Sequence, residues 1–320
     1  MRYIIIHLFL LIFIYSITGI AQTEAPPKGA TPKDFTLPQV TKIELDNGMQ
    51  GSLVPYGKLP KAIVRVYLDL GNINETENET WIADITGELL KEGTSSKSAS
   101  DIARAVASMG GEVTFYTGLD RSWIGAEVLS EYTVDLIELL ADILQNPSFP
   151  EKEFDRLKKD FLRNLDISKA RAQNLAREKF LEVLYPNHPY GRLYPSKENL
   201  SKYTLEQINN FYDQNYGALR SHIYVVGNFE MGSVEKSIRS SFANWQRGNE
   251  TLRDIPQPKS ERKIYLVDRP GSPQSTIYMG LPVVDPSHPD YFPLTVTNTL
   301  LGGYFSSRIT ANIREDKGYT

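Results

Sequence analysis

The chain has 320 residues, 41% apolar and 23% charged, enough apolar content to bury a large core, so it reads as one large or two ordinary globular domains and not as a disordered chain. Its 35 Lys and Arg against 39 Asp and Glu give a net charge of −4, which argues against a phosphate-gripping surface and so against nucleic-acid binding. The absence of cysteine excludes a disulfide framework and a lipid-modified cysteine anchor.

The chain opens with Arg2, a nearly unbroken apolar run from Ile4 to Ile14, and small and polar residues up to Ala21 and Gln22. That order predicts a secretory signal peptide over 1–21 and hence an exported, periplasmic protein of a bacterium. If the segment stays uncleaved, the stretch from Ile4 to Ile20 approaches the length of a membrane anchor. With cleavage, no membrane span is expected.

After a spacer over 22–40, "KIELDNGMQGSLVPY" alternates around Asp46-Asn47-Gly48 and predicts a hairpin. "KAIVRVYLDLG" predicts a strand with Ile63, Arg65, Tyr67 and Asp69 on one face and Val64, Val66, Leu68 and Leu70 on the other. Next comes an amphipathic helix opening at Trp81, with Ile82, Ile85 and Leu89 on its apolar stripe and Gly93 as its stop. A second helix, capped by Ser98 or Ser100, runs to Gly110-Gly111. The strands "EVTFYTGLD" and "SWIGAEVLS", a periodic helix over 133–144 and long helices over 150–184 follow. "NHPYGR" breaks these helices, and a helix, the strand "HIYVVGNF" and a further helix end the unit near Trp245. Residues 246–262, polar and proline-containing, predict a linker. Beyond it "KIYLVDRPGSPQSTIYMGLPV" and a helical stretch from Tyr291 repeat the opening order, which predicts an internal duplication. The second copy is expected to be C-terminally incomplete.

On the first helix Asp84 and Glu88 stand four apart on the polar face with Gly87 between them. Spacing of four suits a metal site, but two carboxylates without imidazole are poor zinc donors, so a solvated acidic face competes with an oxygen-ligand site. His7, His188, His222 and His288 have no second histidine three or four residues away, which points to turn or structural roles. No G-x-S-x-G elbow is present.

Taken together, "EGTSSKSASDIARAVASMGGEVTFYT", "LIELLADILQNPSFPEKEFDRLKKDFL", "NHPYGR", "FYDQNYGALRSHIYVVGNF" and "LGGYFSSRITANIREDKGYT" resemble the pitrilysin/insulinase-type zinc metallopeptidases, the family of mitochondrial processing peptidase, from about Thr41 to Thr320. The resemblance implies an α+β fold of two similar halves, each an antiparallel-rich sheet with helices packed on it, the second half truncated. Its boundaries would be 41–245 for an N-terminal peptidase-like domain, 246–262 for the linker and 263–320 for the start of a C-terminal one.

Active members of that family carry H-x-x-E-H on the helix before "EGT", two histidines binding zinc and the glutamate acting as general base. In this sequence Asp84, Gly87 and Glu88 hold those positions, and the third ligand, a glutamate in the family, falls near Asn164. No bound zinc is therefore expected and no catalytic residue is assigned. The family further implies Arg314 as a substrate-contacting arginine, with its companion Tyr position falling beyond Thr320. It also implies an edge strand, carrying Val113, Phe115 and Thr117, to which an extended peptide adds. The resulting expectation is a non-catalytic homologue, the silent half of a heterodimer with a zinc-bearing peptidase paralogue that grips peptide substrates. A stand-alone peptide-binding or assembly protein is the alternative, followed by a divergent metalloendopeptidase using Asp84, Glu88 and Asn164.

Overall fold

A computed structural model describes residues 29–30 and 36–319. The expected signal peptide (1–21) and most of the 22–40 spacer lie outside the described residues. Among these, no helix is long and apolar enough to cross a membrane.

Six strands, β1 (Thr41–Glu44), β2 (Gln50–Pro55), β3 (Lys61–Leu68), β4 (Thr114–Thr117), β5 (Ser122–Leu129) and β6 (Ser221–Gly227), form one sheet in the order β1-β2-β6-β3-β5-β4. All neighbours are antiparallel except β2 and β6, which run parallel. β6 arrives after a long helical excursion and inserts between β2 and β3, which is how a chain acquires one parallel pair.

The alternation read in β3 is the one observed. Val64, Val66 and Leu68 are fully buried on one face, while Ile63, Arg65 and Tyr67 are half-buried on the other. The helices are α1 (Ile82–Leu90), α2 (Ala99–Ser108), α3 (Thr133–Gln145), α4 (Glu151–Lys169), α5 (Ala172–Leu184), α6 (Lys197–Lys202), α7 (Leu205–Asn215) and α8 (Met231–Phe242), of which α1 and α3 pack directly on the sheet. α3 lies on β3 and β5, and α1 is enclosed by α4, α7 and β4. The one-sided core explains the period-two pattern of the strands and the stripes of the helices.

Local signals set several boundaries. At the β1–β2 hairpin Gly48 takes φ +90°, and Asn47 Nδ2 donates to the Phe242 and Trp245 carbonyls at 2.7 and 3.0 Å, fastening the turn to the end of α8. Ser98, not Ser100, caps α2, in a reciprocal pair with Asp101. Thr94, in the "EGT" loop after α1, and its neighbours Ser96 and Lys97 all donate to the Asp142 carboxylate of α3.

The start of the expected linker is not free chain. Ala218 and Leu219 donate backbone N–H groups to Gln246 and Arg247 at 2.9 Å, and the guanidinium of Arg220 donates to the carbonyls of Asn249 and Glu250. Farther on, Lys259 N–H bonds the Leu184 carbonyl at the end of α5.

The strands expected within 263–283 are not formed, which corrects the sequence expectation for that stretch. Ile264, Leu266, Ile277 and Met279 are 85–98% exposed, so no described neighbour supplies a ladder or an apolar surface. A lone pair of strands is marginal without a third strand or a covering helix. The helical stretch from Tyr291 is present as α9 (Tyr291–Asn298), followed by wide helical turns to Asp316.

Candidate functional site

β3 runs through the loop 71–80 into α1, and the chain turns at Trp81 with φ +73°, a left-handed conformation costly for a bulky residue. Packing holds it there: the indole is edge-on to Phe161 of α4 and to Tyr194, and its Nε1 donates to the Leu193 carbonyl at 3.2 Å. α1 therefore begins at Ile82, one residue later than the sequence pattern suggests.

A carboxyl pair, Glu75 and Asp84, forms where the loop 71–80 meets the first turn of α1. Asn72 Nδ2 donates both to Glu75 Oε1 at 2.9 Å and to Asp84 Oδ2 at 2.8 Å, and the Ala83 N–H donates to Glu75 Oε1 at 3.0 Å. Burial, then the nearby Asp84 charge, push the Glu75 carboxyl up to about 8. Burial chiefly, with the Glu88 charge adding, raises Asp84 to about 6 against the lowering bond from Asn72. The loop bearing Glu75 is fixed from two sides. Asn72 and Ile73 N–H bond the Gly118 and Leu119 carbonyls of the β4–β5 turn, and Arg192 of "NHPYGR" donates to the Glu75 carbonyl at 2.7 Å.

One turn on, Gly87 lies flat against the ring of Phe115 from β4. A Cβ built on residue 87 would stand 2.1 Å from Phe115 Cε1 and 2.4 Å from Cδ1. Glu88 is half-exposed and paired with Lys91 Nζ at 2.9 Å. Asn164 is exposed on α4 and bonds neither Asp84 nor Glu88 among the described residues.

These residues do not fit a zinc ion. Imidazole and thiolate donors are absent, one carboxylate is engaged by Asn72 and the other by Lys91, and the Phe115 ring fills the space beside Gly87 between them. Among the described residues no group of three or more His, Cys, Asp or Glu converges as a metal would need. The described histidines have local partners: His188 Nδ1 accepts from Tyr190 N–H, His222 Nε2 meets Ser52 Oγ at 2.9 Å, and His288 Nδ1 accepts from Asp290 N–H.

β4 is an edge strand, bonded only to β5. Of the residues expected to touch a peptide, Phe115 is buried against α1 and Val113, just before the strand, packs on the core, so neither offers a free side chain; Thr117 remains half-buried. The outer-facing residues are Thr114 and Tyr116, both exposed. Arg314 is exposed, its guanidinium 5.4 Å from the ring centroid of Phe305 in the turn before its helical segment, with no hydrogen bond or ion pair to α1 or β4 among the described residues.

Sequence reasoning missed Asn72 and Glu75. They lie in "GNINETENET", a polar run resembling any solvated loop, and nothing local distinguishes the one glutamate that folds inward. Only its closeness to the start of α1 hinted at a role.

The sequence matches the insulinase family, peptidase family M16, over residues 57–194, and the peptidase M16 inactive domain over 202–320. It is 25% identical over 283 residues to the uncharacterized zinc protease YmxG of Bacillus subtilis, covering 87% of this chain and 68% of that protein. It is 24% identical over 288 residues to the mitochondrial-processing peptidase subunit beta of Dictyostelium discoideum, covering 87% and 60%. The crystal structure of the peptidase M16 inactive domain from Pseudomonas fluorescens superposes with a TM-score of 0.72 at 23% identity, covering 88% of this chain and 68% of that one. The chain spans about two thirds of the length of the curated relatives it matches, 68, 66 and 64% of the first three. With both halves of the sequence matched and the sheet-and-helix architecture shared, the chain belongs to peptidase family M16.

Proposed function

We propose that this chain is a non-catalytic member of family M16, exported to the bacterial periplasm, that holds extended peptides along β4 and works as the silent partner of a zinc-bearing paralogue. The observation that carries the reading is the contact of Phe115 with Gly87: the family's base position is packed shut while the scaffold and the free edge around it stand. The pairing has support in a relative named as a subunit of a processing peptidase. On this reading residues 41–245 are the N-terminal peptidase-like domain, 246–262 the linker and 263–320 part of a C-terminal one. Arg314 is a candidate for contacting substrate in the assembled pair.

A divergent metallopeptidase built on Asp84, Glu88 and Asn164 is disfavoured, because Lys91 neutralises Glu88 and no base replaces the missing glutamate. The test is purification of the full-length protein, alone and with an intact H-x-x-E-H paralogue from the same genome. Alone it should bind no stoichiometric zinc and cleave no peptide; together the two should co-elute and cleave. Chelator-sensitive cleavage by the protein alone would overturn the proposal, and failure to co-elute would leave a stand-alone peptide binder.

A further inference from the structure

At the β1–β2 turn the chain carries its one Asn-Gly step, Asn47-Gly48. Such a step is chemically fragile, because glycine has no side chain to hinder its own backbone nitrogen from reaching the neighbouring amide carbon. In this fold both reacting groups are held. Asn47 Nδ2, the leaving group of that reaction, donates to the Phe242 and Trp245 carbonyls at the end of α8 at 2.7 and 3.0 Å, and Oδ1 accepts from the Met49 N–H at 3.3 Å. The Gly48 N–H, the nucleophile, donates to the Leu45 carbonyl at 2.9 Å. Phe242 and Trp245 are buried, as are Leu45 and Met49 on either side of the turn, so the amide is released only when the hairpin and the end of α8 part.

We propose that Asn47 is a deamidation site kept shut by the end of α8: it converts to aspartate or isoaspartate only while the β1–β2 turn is open, and once it has converted the turn does not fasten again. The Gly48 backbone nitrogen, losing its proton to water, attacks Asn47 Cγ; a Cγ–N bond forms, the Cγ–Nδ2 bond breaks and ammonia leaves. Water then opens the cyclic imide, at Cγ to give aspartate or at the main-chain carbonyl to give isoaspartate. Either product replaces two donated hydrogen bonds by a carboxylate set against the Phe242 and Trp245 carbonyls, at the negative end of the α8 dipole. Isoaspartate also lengthens the main chain inside the turn that the bond from Leu45 N–H to the Met49 carbonyl closes at 2.9 Å. Arg239 and Arg247 reach the Glu44 and Asn47 carbonyls, but both are exposed, and solvated cations offset little of that repulsion.

The test follows residue 47 by peptide mapping in the full-length protein, kept in one mildly alkaline buffer either folded or with urea. Conversion should be at least about tenfold slower in the folded protein, since only the open fraction reacts. Chains refolded after partial conversion should melt below unconverted ones. Asn47→Asp should melt below Asn47→Ala, which loses the same bonds without adding a charge. Equal conversion rates in the folded and unfolded protein would overturn the shut state. Converted chains that melt with the parent, or an Asn47→Asp variant that does so, would overturn the failure to fasten again. The two rates are read on the parent chain, so they decide the first point even where Asn47→Asp does not fold.

Discussion

Gly87 and Phe115 form one packing unit, with the aromatic ring occupying the volume that any side chain at residue 87 would need, 2.1 Å from where its Cβ would be. Any side chain introduced at residue 87 would therefore have to displace that ring. Edge strand and helix close on each other there, so the contact is part of the core.

That unit predicts non-additive stability effects. Gly87→Ala gains about 1 kcal/mol of helix propensity but must displace the ring, at about 1–3 kcal/mol, so a net loss of about 1 kcal/mol is expected. Phe115→Leu alone should cost about 1–2 kcal/mol. The double variant should lose less than the two single losses together, by at least about 0.5 kcal/mol, in urea unfolding. Strict additivity would show that the ring and residue 87 do not share that space.

The carboxyl pair makes stability depend on pH. Glu75 and Asp84 are raised from 4.5 to about 8 and from 3.8 to about 6 by burial and like charge. The unfolded chain ionises them freely at lower pH, so the folded state binds more protons. Stability contributed by this pair is then greatest in acid and declines as pH climbs from about 4 to about 8, flattening above. Glu75→Gln keeps an oxygen for Ala83 N–H and Asn72, removes the charge and should raise stability at about pH 8 by on the order of 1–3 kcal/mol with little change at about pH 4. Unfolding free energies at the two pH values read this directly. A parallel decline in parent and variant would assign the pH dependence elsewhere.

Asp142 runs the opposite way. Burial alone would raise it, but bonds from Asn146, Lys97, Thr94 and Ser96 hold its carboxyl below the usual range. A depressed value means stability that is present above the unfolded value and is lost as pH falls through the folded one. Asp142→Ala leaves the buried Thr94 hydroxyl short of its acceptor, and a loss of about 2–3 kcal/mol is expected. Hydrogen exchange should quicken over 94–98 before it changes in α1. Unchanged exchange there would remove Asp142 from the role of loop anchor.

What the sequence showed and hid follows from the range of the interactions involved. The alternation of β3 and the stripes of α1 and α3 are local consequences of a one-sided core, and they were legible. Val113, Phe115 and Thr117 were correctly placed in one alternation set, but which set turned inward depended on Gly87, twenty-eight residues before Phe115 in the chain. Glu75 was illegible for the same reason: its burial comes from Arg192 and the β4–β5 turn closing over its loop. The strand-like pattern of 263–283 was real as a pattern, yet pattern forms a strand only where a neighbouring edge accepts it.

Donor chemistry and the packing at Gly87 can be separated by substitution. Asp84→His, Gly87→Glu, Glu88→His and Asn164→Glu together install the donor types and base of the H-x-x-E-H motif at the positions the family resemblance implies. With Phe115 retained, the new glutamate at 87 collides with the ring, and the four-residue variant should unfold at lower denaturant and bind zinc well below one ion per chain. Adding Phe115→Ala opens that volume at a further core cost of about 3 kcal/mol or more, so the five-residue variant needs zinc itself to regain stability. The expected signature is a melting temperature that rises with added zinc in the five-residue variant and barely moves in the four-residue one. Zinc stoichiometry near one in the four-residue variant would show that the ring yields easily and does not bar metal from this helix.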